Sequence, residues 1–134
     1  MPEIRIKDAA ALLGVSDDTV RRWIDSGALA SYKDDAGRKV IAGAVLAEFA
    51  REQASPPADP LGVGSSARNR LVGLVTKVTA DRVMSEVQMQ CGPFTVVSLM
   101  STASAQQLGL EPGVLAVAVV KATTVIVETP AGAS

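Results

Sequence analysis

The chain has 134 residues, 48% of them hydrophobic but only 3% aromatic, with 13 Lys and Arg against 14 Asp and Glu, no histidine and one cysteine. A formal net charge of −1 excludes nucleic-acid binding through bulk positive charge, so any such binding rests on a local cluster; the lack of histidine excludes His-based catalysis and His-ligated metal, and a lone Cys91 excludes an intrachain disulfide. No apolar run approaches the roughly 18 residues of a membrane span and no basic-then-apolar leader opens the chain, so the expected location is cytoplasmic, with no membrane partner.

Residues 1–53 read as a first domain. Ile6-Lys7-Asp8-Ala9-Ala10-Ala11-Leu12-Leu13 combines strong helix formers with an apolar face at Ile6, Ala9, Ala10 and Leu13, and Gly14 ends it. Ser16 is placed to cap a second helix, whose first turn holds Asp17 and Asp18 where the macrodipole favours acid, and which runs through Trp23 and Ile24 to Gly27. Ala30–Lys33 and Arg38–Ile41 flank Asp34-Asp35-Ala36-Gly37, which predicts a hairpin. Gly43–Arg51 supplies a third helix, with Val45, Leu46 and Phe49 expected to face inward.

Two short helices joined through Gly14-Val15-Ser16 fit the helix-turn-helix pattern. Asp8-Ala9-Ala10, Leu13-Gly14-Val15-Ser16, Thr19-Val20-Arg21-Arg22-Trp23 and Gly27-Ala28-Leu29 resemble the excisionase and MerR-like class of winged helix-turn-helix proteins. The resemblance implies that the second helix enters a major groove of double-stranded DNA. Ser16, Thr19, Arg21, Arg22 and Ser26 are then the expected contacts, and Arg38 and Lys39 on the wing add phosphate contacts. The domain carries eight Lys and Arg against nine Asp and Glu, so a single copy is expected to bind weakly. Trp23 is expected to pack under the wing and not to stack on DNA.

Residues 54–65 form a linker: Ser55 to Gly64 holds three prolines and two glycines, which exclude a helix or a central strand and predict a tether between independent domains.

Residues 66–130 read as a second, β-rich domain, with 131–134 as a tail. Leu71, Val72, Leu74, Val75 and Val78 open it; Val83, Ser85, Val87, Met89 and Cys91 then alternate with Met84, Glu86, Gln88 and Gln90 at period two. Gly92-Pro93 turns the chain into Phe94–Met100, a short helix is expected at Ala105–Leu108, and Glu111-Pro112-Gly113 precedes Val114–Val120. Five short strands and one helical turn predict a small OB-like barrel and, with the first domain, an α+β two-domain chain. Two cations, Arg68 and Lys121, together with the three hydroxyls of Ser101, Thr102 and Ser104 beside a possible helix start, suggest an anion site.

The order of these pieces carries a second likeness. Ser66-Ala67-Arg68-Asn69 opening a strand, Ser101-Thr102-Ala103-Ser104 running into Gln107-Leu108-Gly109-Leu110, and Lys121-Ala122-Thr123 closing a strand resemble the Mop domain, the oxyanion module of molbindins and ModE-type regulators, over about Ser65 to Thr129. The resemblance implies a five-stranded OB-like β-barrel that binds molybdate or tungstate, with no organic cofactor. Its binding positions fall on Ser66, Ala67, Arg68, Ser101, Ser104, Lys121, Ala122 and Thr123; Ser101 stands where relatives often have threonine and keeps the hydroxyl. Such a dianion has acceptor oxygens only and needs donors and positive charge. In the family the sites form between subunits, which implies a homo-oligomer, a dimer or a hexamer.

The leading expectation is therefore a molybdate- or tungstate-responsive DNA-binding transcriptional regulator. The alternative is an oligomeric storage or buffering protein whose helix-turn-helix serves assembly or protein interaction. A third reading, an architectural DNA-binding module on an oligomerising barrel, expects no anion binding at all. An enzyme is not expected: Cys91 has no histidine partner, and Asp34-Asp35 belongs to a turn.

Overall fold

The computed structural model describes residues 2–130; the tail 131–134 lies outside the described residues. The chain divides into two compact units with the boundary between Ser55 and Pro56.

The first unit runs β1 (Glu3–Arg5), α1 (Ile6–Leu13), α2 (Asp17–Asp25), β2 (Tyr32–Lys33), β3 (Lys39–Ala42) and α3 (Gly43–Gln53). Gly14 ends α1 in the left-handed region, φ 68°, where its N–H reaches the carbonyls of Ala10 and Ala11. Ser16 then caps α2 by accepting the N–H of Thr19 at 3.2 Å. The hairpin is held by Asp34, whose Oδ1 accepts the N–H groups of Ala36 at 3.0 Å and Arg38 at 2.9 Å. Strand order is β1-β3-β2, all antiparallel. The helices close over a core of Ala9, Ala10, Val20, Leu29, Ile41, Leu46 and Phe49. Burying each of the larger side chains stabilises the unit by about 1.5–3 kcal/mol before entropy is counted.

Three details of this unit depart from expectation. β1 has no counterpart in the sequence pattern, because three residues carry no readable period. Val45 does not face in: it is 41% exposed, since the inner arc of α3 is set by Leu46, Phe49 and Ala50, and Val45 falls off its edge. Trp23 packs not under the wing but edge-on against Phe49 of α3, with ring centroids 5.0 Å apart and planes at 63°. The indole lines a recess with Leu12, Leu13, Val15 and Ala50, none of them a wing residue.

The second unit contains β4 (Asn69–Ala80), β5 (Met84–Cys91), β6 (Phe94–Ser101), α4 (Thr102–Gln107), β7 (Leu115–Val120) and a 3-10 turn at Ala122–Thr124. Its antiparallel sheet has the order β6-β5-β4-β7. The long strand β4 serves two partners: Asn69–Leu74 pairs with β7, and Leu74–Ala80 pairs with β5. A bulge at the Val75/Lys77 register shift bends it. Gly73 lies at the changeover, where a Cβ would stand 2.3 Å from the Gln90 carbonyl oxygen and 2.7 Å from Cys91 Sγ. The sheet curls until both edge strands line one apolar cavity of about 280 Å³ floored by Val75, Val87 and Met89.

The period-two expectation holds for Ser85, Val87, Met89 and Cys91, all buried. Val83 does not join them; it is 70% exposed because Asp81 Oδ1 accepts the N–H groups of Val83 and Met84, each at 2.8 Å, and makes a turn there. The short helix begins at Thr102, not Ala105, since Ser101 caps it. Among the described residues of this second unit four strands are hydrogen-bonded, not five. Val125–Val127, an apolar run after β7, is exposed and outside the sheet. Part of the linker is not free: Asp59 Oδ2 pairs with Arg70 Nε at 2.7 Å. That hydrogen bond holds the Asp59 carboxyl below the usual carboxylate range. Among the described residues no helix is long and apolar enough to cross a membrane.

Candidate functional site

The β4–β7 ladder ends on the pair Asn69 and Val120. Ser66-Ala67-Arg68, leading into β4, and Lys121-Ala122-Thr123, leaving β7, therefore meet at one end of the sheet. Asn69 Nδ2 fastens the junction by donating to the Val120 carbonyl at 3.1 Å. Beyond it the Lys121 carbonyl accepts the N–H of Thr124 at 3.0 Å and its hydroxyl at 2.9 Å. This 3-10 turn leaves the N–H groups of Ala122 and Thr123 without acceptors inside it. Arg68 and Lys121 are exposed, and among the described residues neither forms an ion pair. Ala67 is less available: its N–H already donates to Ser65 Oγ at 3.1 Å.

Ser101 and Ser104 sit elsewhere. Ser101 pairs with Met84, next to the end of β4 where Ala80 pairs with Ser85. Ser101 Oγ accepts the N–H of Ser104 at 3.1 Å and donates to Ser104 Oγ at 2.8 Å, which leaves the Ser104 hydroxyl hydrogen as the free donor of the pair. Thr102, whose hydroxyl the sequence counts among the candidate donors, is engaged internally and sets their position. Its hydroxyl donates to the Asp81 carbonyl at 2.8 Å and lies 2.9 Å from the buried hydroxyl of Ser85. Nothing in a single Ser-Thr run marks that role.

Twelve residues of β4 separate the two groups, roughly 35 Å along a straight strand and less along a curled one. One chain thus gathers Ser66, Arg68, Lys121, Ala122 and Thr123 at one end, with Ser101 and Ser104 at the other. Each group is largely open to water. Among the described residues no group of three or more His, Cys, Asp or Glu could hold a metal ion.

In the first unit the outer arc of α2 presents Thr19, Arg21, Arg22 and Ser26. Ser16 is occupied locally, since its hydroxyl caps the helix and lies 3.0 Å from Thr19 Oγ1. Arg22 Nη2 donates to Thr19 Oγ1 at 3.0 Å, and Ser26 Oγ donates to the Trp23 carbonyl at 3.1 Å. Arg21 lies 3.5 Å from Asp18, an exposed pair worth less than about 1 kcal/mol and easily exchanged for another partner. On the wing, Arg38 Nε donates to Asp34 Oδ2 at 3.0 Å. The backbone N–H of Arg38, helped by that side chain, holds the Asp34 carboxyl below its ordinary range.

Two cations have no signature in the sequence pattern. Arg5 at the end of β1 and Lys7 in the first turn of α1 line one cleft of about 540 Å³ with Arg21, Arg38 and Lys39, and with the acids Asp17 and Asp25. The signal is missing because β1 itself is unreadable, and only its pairing with β3, Arg5 opposite Val40, brings Arg5 to the base of the wing.

Comparison with known proteins finds two family matches that divide the chain. Residues 4–54 match the helix-turn-helix domain family, and residues 65–127 match the TOBE domain family. Among solved structures, a molybdate binding protein from Sporomusa ovata is 30% identical over 50% of this chain and 100% of its own, with a TM-score of 0.48. MopII from Clostridium pasteurianum is 34% identical over 49% of this chain and 100% of its own, with a TM-score of 0.46. No curated protein matches the chain.

Proposed function

For a chain whose residues 4–54 belong to the helix-turn-helix domain family and whose residues 65–127 belong to the TOBE domain family, we propose the function of a DNA-binding regulator that responds to molybdate or tungstate. The oxyanion is bound between second domains of different chains. Arg68 and Lys121 supply positive charge, Ser66 and the N–H groups of Ala122 and Thr123 supply donors, and Ser101 and Ser104 of another copy complete the shell. Ala67 contributes by placing its neighbours, since its N–H is already bonded to Ser65.

The observation that carries this reading is the separation of the two donor groups along β4. A dianion with four acceptor oxygens is bound tightly where donors surround it away from water. Each group alone is open, and the two of one chain lie at opposite ends of a strand. Juxtaposing copies brings unlike ends together. The exposed apolar residues of the second unit, Phe94 and Leu99 on β6 and Ile126 beyond the sheet, support such assembly.

Anion occupancy would then set how the helix-turn-helix units of an assembly are spaced, and dimeric readers need half-sites about 34 Å apart. Linkage requires DNA to shift anion affinity by the same factor. The testing experiment is a calorimetric titration with molybdate, tungstate and sulfate, run on the protein and on Arg68→Ala and Lys121→Ala. Binding of the first two anions that weakens about 10- to 100-fold in each variant supports the site; no heat with either anion overturns it. Retention of duplex DNA at about 0.15 M salt separates a regulator from a storage protein, because nonspecific phosphate contacts fade steeply with salt.

A further inference from the structure

The first unit as a whole has eight basic residues against nine acidic ones, yet the cleft between β1, α2 and the wing gathers five basic residues against two carboxylates. Its positive charge is therefore local, which is what a near-neutral chain needs to hold a polyanion. Within that cleft the cations differ. Arg21 is engaged by Asp18 and Arg38 by Asp34, whereas Arg5, Lys7 and Lys39 form no ion pair among the described residues. Unpaired exposed cations release no internal partner when they meet a phosphate, so they bind it at lower cost than Arg21 or Arg38.

We propose that Arg5 and Lys7, together with Lys39, form a backbone clamp for double-stranded DNA: a phosphate track beside α2 that fixes the duplex while the outer arc of α2 faces the bases. This rests on the reading of the first unit as a DNA-binding module and adds to it a second, sequence-independent contact surface. Asp17 and Asp25 on the same wall keep the track narrow in charge, so that phosphates are accepted along the line of the cations and repelled from the α2 side. The clamp explains how a domain with no basic excess holds DNA, and why Arg5 lies on a strand paired into the wing. A cation anchored by a sheet keeps its register better than one on a free N-terminal arm.

The test is fluorescence anisotropy of the full chain with a short random-sequence duplex across a salt series. It compares wild type with Arg5→Ala/Lys7→Ala, the charge-keeping Arg5→Lys/Lys7→Arg, an Arg21→Ala variant and a control, Arg51→Ala, outside the cleft. The double alanine variant is expected to bind about tenfold more weakly at low salt, with the slope of log K against log salt lower by about two. The charge-keeping variant is expected to restore both, and Arg51→Ala to change neither. Unchanged Trp23 fluorescence in each variant establishes that the unit is folded. Wild-type affinity and slope in the double alanine variant, alongside weakened binding by Arg21→Ala, would overturn the clamp and leave the DNA-binding reading standing. No binding by wild type at low salt would overturn both.

Discussion

Asn69 donates its side-chain amide to the carbonyl of Val120 at 3.1 Å, so the residue after Arg68 is tied to the residue before Lys121. Two segments 51 residues apart in sequence are joined at one backbone position. Asn69→Ala removes the tie and leaves the ladder hydrogen bonds. A neutral hydrogen bond of this kind contributes about 1 kcal/mol. Molybdate affinity by calorimetry is therefore expected to fall about fivefold, and the melting temperature of the second unit by about 4–8 °C. An unchanged affinity would mean that Arg68 and Lys121 do not act together.

A site built between copies, as proposed above, is open to complementation. On that proposal Arg68→Ala chains lack one end and Ser101→Ala/Ser104→Ala chains the other, so neither alone would form an intact site. Co-expressed and purified as mixed assemblies, they are expected to regain a fraction of wild-type molybdate stoichiometry, because some sites pair an intact end from each chain. A stoichiometry equal to that of the two separate variants would place the whole site within one chain.

Gly73→Ala puts a methyl group 2.3 Å from the Gln90 carbonyl oxygen, a backbone contact with no rotamer to escape into. Overpacking of this kind costs about 3 kcal/mol or more. The second unit should lose most of its cooperative melting by circular dichroism, while the fluorescence transition of Trp23, the sole tryptophan, stays where it is. A single shared shift of both signals would refute independent folding of the units.

Acid should weaken both units through identifiable turns. Asp34 in the first unit and Asp59 and Asp81 in the second have carboxyls held below the ordinary range, by the Arg38 N–H, the Arg70 guanidinium and the Met84 and Val83 N–H groups respectively. A depressed folded value means that the contribution is fully present above the unfolded value of about 3.9 and is lost as pH falls below it toward the folded value. Melting temperatures are expected to be flat from neutral pH to about 5 and to fall below about 4. Asp81→Asn should make the acid limb of the second unit shallower, with Asp59 still contributing, and leave that of the first unit unchanged. A midpoint of acid loss near neutrality would point to other groups.

Much of this was legible in the chain. Gly14, Ser16 and the Asp34–Gly37 turn marked the first unit because caps and turns are local chemistry. Ser85, Val87, Met89 and Cys91 marked β5 because burial on one face of a strand writes period two into the sequence. The residue types proposed for an anion, Arg68, Lys121, Ser101 and Ser104, are candidates on chemistry alone, since an oxyanion needs donors and charge wherever the fold puts them.

What tertiary structure alone decided is who meets whom. Sequence could not place Arg68 beside Lys121 and away from Ser101, because that follows from β4 changing partners at Leu74, a non-local pairing permitted by the missing side chain of Gly73. Nor could it bring Arg5 to the wing, since a three-residue strand has no period and exists only because β3 pairs with it. Local propensity and burial pattern are properties of neighbouring residues, and the chain records them. The convergence of distant cations depends on strand register, which is set only when the whole sheet closes on its core.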